Sequence, residues 1–119
     1  MKVLVLGGSR FIGLHLVRLL IEKGHEVSVL NRGRTSADLP TEVNRLHADR
    51  YDNGQVREAL GGLSFDVAFD ISGYDPDSLT PVLSALEGNV GRFVFCSTTA
   101  VYAPSHTYPV TEDFPLDRA

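Results

Sequence analysis

Two patterns of apolar residues alternate from the first residue onward, short continuous runs and longer stretches with a helical period. Residues 3–6 are apolar at four successive positions, which is typical of a strand buried on both faces. Over residues 11–23 the apolar positions fall on one side of a helix, and Gly24 is expected to end it. The face predicted to be buried consists of Ile12, His15, Leu16, Leu19 and Leu20.

The same alternation continues for most of the chain and predicts four further strands and two further helices. Strands are predicted at residues 26–30, 43–48, 65–71 and 91–97, after a first strand at residues 1–6. One further helix runs to Leu60 with Asp52 as its cap, and the other runs from Pro76 to about residue 87 with Asp75 as its cap. Residues 35–42 and the stretch after Tyr102 are predicted loops.

Strands that alternate with helices at this spacing predict right-handed βαβ units and a parallel sheet. The predicted fold class is α/β, a doubly wound parallel sheet with strand order 3-2-1-4-5. Ligands of such sheets bind in the crevice outside the carboxyl ends of the strands, so the turns that follow the strands hold the candidate site residues.

Composition narrows the class of protein. The 119 residues are 43% apolar and 22% charged, which excludes a disordered chain and a polyelectrolyte. The single cysteine, Cys96, excludes an intramolecular disulfide and a cysteine-based metal cluster, and the four histidines show no ligand spacing, so no metal site is expected. Neither a membrane span nor a signal peptide is recognisable, so the expected location is the cytoplasm.

Charge is distributed unevenly around the total of −4. Residues 1–60 carry nine basic and seven acidic side chains, whereas residues 61–119 carry two basic and eight acidic ones. The basic first half suits an anionic small ligand. The negative total and the lack of a Lys/Arg block argue against nucleic acid as a partner.

A glycine-rich turn joins the first predicted strand to the first predicted helix. It reads Gly7-Gly8-Ser9-Arg10-Phe11-Ile12-Gly13. A nucleotide pyrophosphate can lie there, because helix N-terminal amides are unpaired and the helix dipole favours anions. Gly7 is expected to form the tight turn, and Gly13 to let the helix pack closely on the sheet. The alternative is a turn without a ligand.

This turn, in its strand–helix setting, resembles that of the short-chain dehydrogenase/reductase superfamily, specifically its extended and atypical epimerase-like branches. The family's usual loop has three glycines, of which Gly7 and Gly13 match the outer two and Arg10 replaces the middle one. The motif is similar to that of the chloroplast stem-loop RNA-binding proteins and their bacterial relatives. The resemblance implies a Rossmann domain that binds NAD or NADP. Arg10 either supplies a counter-charge to a phosphate or points to solvent.

The end of the second predicted strand bears on the choice of cofactor. NAD-specific folds place a carboxylate there for the ribose 2′-hydroxyl, but this chain has Asn31, followed by Arg32 and Arg34. Because arginine binds phosphate in bidentate fashion, NADP is favoured over NAD. A solvated basic loop, or NAD held by a hydrogen bond to Asn31, is the alternative.

Further candidates follow the other strands. By the resemblance, Asp49 accepts a hydrogen bond from the adenine amino group. Residues 71–74, among them Ser72 and Gly73, lie on the nicotinamide side of the pyrophosphate. Thr98 falls at the position of the hydroxyl that hydrogen-bonds the substrate oxygen, with Ser97 as the alternative. An Asx turn at Asp49, a plain turn at Gly73 and simple strand propensity at Thr98 are the structural alternatives.

The resemblance also implies a catalytic Tyr followed four positions later by Lys, whose charge lowers the pKa of the phenol. Lys2 and Lys23 precede all four tyrosines, so this chain contains no such pair. Residues 1–119 are therefore expected to be the N-terminal NAD(P)-binding Rossmann domain of a longer protein, inactive without its C-terminal substrate-binding part.

The expected whole protein is an NAD(P)-dependent epimerase, dehydratase or reductase, which acts on a nucleotide-sugar-like substrate by reversible hydride transfer. A non-catalytic module that senses NADP or binds RNA is the alternative. The fifth predicted strand is apolar on both faces at residues 93–95 and is expected to form an exposed edge. Self-association through this strand or through residues 102–119 is expected, and with it a homo-oligomer.

Overall fold

The computed structural model describes residues 1–33, 38–98, 101–103 and 111–117. Within these ranges the elements are β1 (Lys2–Leu6), α1 (Phe11–Glu22), β2 (Glu26–Asn31), β3 (Asn44–His47), α2 (Asn53–Leu60), β4 (Phe65–Asp70), α3 (Pro76–Leu86) and β5 (Val90–Phe95). The described residues include no helix that is long and apolar enough to cross a membrane.

The five strands form one parallel sheet in the order β3-β2-β1-β4-β5, which confirms the predicted topology. β1 lies in the centre, where Val3 pairs with Val27 of β2 on one side and with Val67 of β4 on the other. Its side chains from Val3 to Leu6 are buried on both faces of the sheet. A continuous apolar run is what such a central strand requires.

Helices cover both faces of the sheet and create two core clusters. Leu4 and Leu6 of β1 belong to the cluster that includes buried residues of α2 and α3, namely Val56, Leu60, Val82 and Leu86. Val3 and Val5 belong to the other cluster, with Val17 and Leu20 of α1. The alternation along β1 follows from the strand period of two residues.

The buried face of α1 differs from the predicted one. The helix buries Gly13, Val17 and Leu20, whereas Ile12 and Leu19 are exposed, as is His15 on the same predicted face. The apolar side chains of α1 itself point in nearly all directions around the helix axis, so their period does not select a single buried face. The orientation is fixed instead by Gly13, whose missing side chain lets the helix lie directly against the glycine-rich turn.

Local signals place the ends of the helices as predicted. The Asp52 carboxylate accepts a hydrogen bond from the Gln55 amide at the start of α2. Asp75 and Ser78 form a reciprocal capping box at the start of α3. Gly24 follows α1 with φ of +86°, the left-handed conformation that ends a helix. Strand ends lie within one or two residues of the predicted positions.

β5 lies at one edge of the sheet, and Val94 and Phe95 are 39% and 41% exposed. Because an apolar strand edge favours pairing with another chain, we expect the 119-residue chain to self-associate at about 100 μM. Val94→Lys should shift sedimentation velocity profiles toward the monomer. Leu83→Lys, at an exposed position of α3, should leave the profile unchanged. A monomeric wild-type chain at this concentration would contradict the prediction.

Candidate functional site

A cleft of about 330 Å³ opens at the carboxyl ends of β1, β2, β3 and β4. Its buried apolar lining consists of Leu6, Leu30 and Ala48. The remaining lining residues are Gly7, Asn31, Arg32, Arg50, Tyr51, Ser72 and Tyr74. This is the crevice in which open α/β sheets bind their ligands. Four of the predicted site residues, at positions 7, 31, 32 and 72, come together here.

The glycine-rich turn is packed so closely that side chains are excluded at three positions. Gly7 has φ of +85°, and a Cβ on it would lie 2.6 Å from the Cβ of Ser72. A Cβ on Gly8 would lie 2.8 Å from Val17, and one on Gly13 would lie 2.1 Å from the carbonyl oxygen of Gly7. The turn thus requires glycine at these positions for its own geometry. Their predicted contacts with a cofactor stay predictions.

In the described part of the chain, no side chain caps the N-terminus of α1. Arg10 occupies the N-cap position without a capping hydrogen bond, and the first turn has no acidic residue. By contrast, Asp52 and Asp75 cap α2 and α3. Within the described residues, no side chain therefore accepts a hydrogen bond from the first amides of α1, and these amides are suited to an anion.

The remaining residues of the turn lie at or near the surface. Ser9 is half-buried, and Arg10 and Ile12 are exposed. Phe11 is 83% exposed and has φ of +48°, a left-handed conformation that non-glycine residues rarely adopt. Such a conformation is disfavoured by roughly 1–2 kcal/mol and is concentrated at functional sites.

Asn31 and Arg32 stand where β2 ends and line the cleft. The side-chain oxygen of Asn31 accepts a hydrogen bond from the Gly33 amide at 2.9 Å, which leaves its amide nitrogen as a donor for a ligand. Arg32 is exposed. Arg34, the other predicted contact, lies outside the described residues.

Asp49 forms the Asx turn that follows β3. Its Oδ1 accepts a hydrogen bond from the Tyr51 amide at 3.0 Å, and its own amide donates to Gln55 Oε1 at 3.0 Å. The turn directs Arg50 and Tyr51 to the cleft, which Asp49 itself does not line. Its proposed contact with adenine stays a prediction.

Sequence reasoning missed the ion pair between Arg50 and Asp70. Arg50 Nη1 and Nη2 donate to Oδ1 and Oδ2 of Asp70 at 2.9 and 2.7 Å, and the two side chains are 11% and 0% exposed. The signal was available, because Asp70 ends a strand whose neighbours are apolar. A buried carboxylate at that position requires a cationic partner.

Of the two aromatic lining residues, sequence reasoning missed Tyr51, whereas Tyr74 belongs to the segment expected on the nicotinamide side of the pyrophosphate. Tyr51 donates its hydroxyl hydrogen to Asp75 Oδ2 at 3.4 Å, and Tyr74 is 90% exposed. Aromatic side chains at a cleft are suited to stacking on a planar ring. Tyr51 follows shortly after β3, which is the signal that could have found it.

The region after β4 and β5 contains the remaining predicted residues. A Cβ on Gly73 would lie 2.6 Å from Asp70 Oδ2, so the turn after β4 leaves no room for a side chain at this position. Ser97 and Thr98 are exposed and are not among the residues that line the cleft. In the described part of the chain, no three His, Cys, Asp or Glu side chains are grouped to hold a metal ion.

A parallel sheet of this order, with a glycine-rich turn after its central strand and a cleft beside that turn, defines a Rossmann-like α/β protein. The sequence model of the NAD dependent epimerase/dehydratase family matches residues 3–119. The chain belongs to this family.

Individual relatives agree with this assignment. The chain is 33% identical over 129 residues to the chloroplast stem-loop binding protein of 41 kDa b of Arabidopsis thaliana, covering 98% of the chain and 34% of the relative. It is 32% identical over 137 residues to a UDP-glucose 4-epimerase of Lactobacillus helveticus, covering 98% of the chain and 41% of that enzyme.

Solved structures give the same fold. UDP-glucose 4-epimerase from Bifidobacterium longum, in complex with NAD+ and UDP, matches with a TM-score of 0.83 and 22% identity, over 99% of this chain and 43% of that one. This chain spans about a third to somewhat more than two-fifths of the length of these three proteins.

Proposed function

We propose that the cleft binds NAD(P), and that the chain is the dinucleotide-binding domain of an epimerase, dehydratase or reductase for nucleotide-sugar-like substrates. One observation carries this proposal: residues that follow four different strands line the same cleft. These residues are Gly7 after β1, Arg32 after β2, Tyr51 after β3 and Ser72 after β4. Family membership supports it. When bound, the nicotinamide would supply reversible hydride transfer.

The residues present suit a dinucleotide. The uncapped amides at the start of α1 would hold the pyrophosphate. Tyr51 and Tyr74 would pack against a planar base at the rim of the cleft. Thr98, with Ser97 as the alternative, is proposed to hydrogen-bond the substrate oxygen in the whole protein. The chain by itself is expected to be inactive, since it contains no Tyr-x-x-x-Lys pair.

We further propose that NADP is preferred over NAD. Arg32 is exposed in the cleft. Its neighbour Asn31 occupies the position where NAD-specific folds have a carboxylate, which would repel a 2′-phosphate. The guanidinium of Arg50 is already neutralised by Asp70. Among the described arginines of the cleft, Arg32 is thus the one whose charge is available to a phosphate.

Arg32→Ala is therefore expected to weaken NADPH binding about tenfold and NADH binding by about twofold or less, because a charge-assisted hydrogen bond to the 2′-phosphate is lost. Parallel calorimetric titrations with the two coenzymes measure both effects. Arg57→Ala, at an exposed position of α2, is the matched control and should change neither affinity. Tighter binding of NADH than of NADPH by the wild-type chain would exclude the preference, and equal losses on Arg32→Ala would exclude Arg32 as its cause.

RNA binding is a second candidate, favoured by the 33% identity to a stem-loop binding protein. The net charge of −4 opposes it, since backbone phosphates would be the main source of affinity. Titration of a labelled RNA stem-loop at low and at physiological salt distinguishes the two candidates. Tight RNA binding at physiological salt, without binding of either coenzyme, would favour this second candidate.

A further inference from the structure

We infer that Arg50 and Asp70 are positioning residues that aim the hydroxyl hydrogen of Ser72 at a phosphate oxygen of the bound dinucleotide. The inference rests on the proposed function, because it names a donor for the ligand of the same cleft. It concerns an ion pair whose role is otherwise unassigned.

The Arg50 guanidinium is fixed by contacts from three residues. Its Nε donates to the carbonyl oxygen of Ser78 at 2.8 Å, and its Nη2 donates to Asp70 Oδ2 at 2.7 Å. Its Nη1 donates both to Asp70 Oδ1 at 2.9 Å and to Ser72 Oγ at 2.8 Å. A planar group held at all three nitrogens has little freedom to turn toward a ligand.

Asp70 fixes the backbone that carries Ser72. Its Oδ1 also accepts hydrogen bonds from the amides of Ser72 and Gly73, at 3.1 and 2.8 Å. One buried carboxylate thus sets the position of the guanidinium and of the turn after β4 together. The position of the Ser72 hydroxyl oxygen follows from both.

The direction of the Ser72 hydroxyl hydrogen follows from the chemistry of arginine. A guanidinium only donates, so Ser72 Oγ is the acceptor in its bond with Arg50. The hydroxyl therefore keeps its own hydrogen for another acceptor, and none is provided by the described residues. A donor in this position is suited to a ligand oxygen.

The Ser72 hydroxyl lies beside the glycine-rich turn. Ser72 lines the cleft together with Gly7, and its Oγ lies 2.9 Å from the point that a Cβ on Gly7 would occupy. The uncapped amides of α1 begin a few residues further along the same turn. A pyrophosphate held by those amides would present anionic oxygens to the Ser72 hydroxyl, and Arg50 would polarise the donating O–H bond.

Ser72→Ala tests the donor. Titrations of the 119-residue chain with NADH, ADP and adenosine should show about tenfold weaker binding of NADH and ADP, both of which carry a pyrophosphate, with a change of about twofold or less for adenosine. Ser84→Ala, at an exposed position of α3, is the matched control. If the wild-type chain binds NADH and Ser72→Ala binds it equally well, the inference is wrong while the proposed function stands.

A double-mutant cycle tests whether Arg50 acts through Ser72. Arg50→Lys is expected to weaken ADP binding about fivefold in the wild-type background and by about twofold or less in the Ser72→Ala background. Equal losses in both backgrounds would reduce Arg50 to a structural role and overturn the inference. If Arg50→Lys fails to fold, Asp70→Asn takes its place in the same cycle. A wild-type chain that binds neither NADH nor ADP would instead refute the proposed function.

Discussion

Gly13→Ala is expected to lower the free energy of unfolding by about 3 kcal/mol and to abolish dinucleotide binding. The added Cβ would lie 2.1 Å from the carbonyl oxygen of Gly7 and 2.9 Å from the Cα of Gly8. Both are backbone atoms, so the clash cannot be relieved by a change of rotamer. α1 would have to move away from the glycine-rich turn, and the amides proposed to hold the pyrophosphate would move with it.

Chemical denaturation and titration with NADH measure the two effects of this substitution. Gly54→Ala is the matched control, because Gly54 also lies in the first turn of a helix. Outside its chain neighbours and the backbone of its own helix, the nearest described atom to a Cβ there would be Asp52 Oδ1, at 3.3 Å, and no backbone atom of the described residues lies within 4 Å. It should change the free energy of unfolding by about 1 kcal/mol or less. A Gly13→Ala chain that is as stable as the wild type would show that the close approach of helix and turn is not required.

Asp70→Ala is expected to lower the free energy of unfolding by about 4 kcal/mol. The substitution leaves the Arg50 guanidinium buried without its counter-ion, since the two side chains are 11% and 0% exposed. It also removes the acceptor of the Ser72 and Gly73 amides. Loss of one member of a buried pair is costly because the other charge stays desolvated.

Urea denaturation of single and double variants measures this effect. Arg50→Met combined with Asp70→Ala should lose less stability than the sum of the two single losses, because no unpaired charge is then buried. Asp38→Ala is the control: it breaks the exposed ion pair with Arg18, 3.3 Å apart, and should have no measurable effect. Equal effects of Asp70→Ala and Asp38→Ala would contradict the structural role of the buried pair.

Those parts of the fold that depend on local signals could be predicted from the sequence. The apolar run at residues 3–6 identified the central strand, Asp52 and Asp75 identified two helix starts, and Gly24 identified a helix end. Each signal acts within one turn or one strand, where a single residue type has a direct conformational effect. The strand order followed from the alternation of strands and helices.

Features that depend on contacts across the fold could not be predicted in the same way. The buried face of α1 is set by packing at Gly13, and an apolar period spread around the whole helix does not reveal it. Arg50 and Asp70 are 20 positions apart in the sequence. They meet because the carboxyl ends of the parallel strands β3 and β4 lie at the same edge of the sheet. In the candidate site, Gly7, Asn31, Arg32 and Ser72 were found by their positions after strands, whereas the partners that orient them required the structure.

Amide chemical shifts of the ¹⁵N-labelled chain, recorded during titration with NADPH, test directly whether the cleft is the dinucleotide site. We predict that the largest changes occur at Gly7, Arg32 and Ser72, which follow three different strands and line the same cleft. Changes confined to the amino ends of the strands, for example at Lys2 and Ser64, would contradict this assignment. The same conclusion would follow if saturating coenzyme changed no amide shift at all.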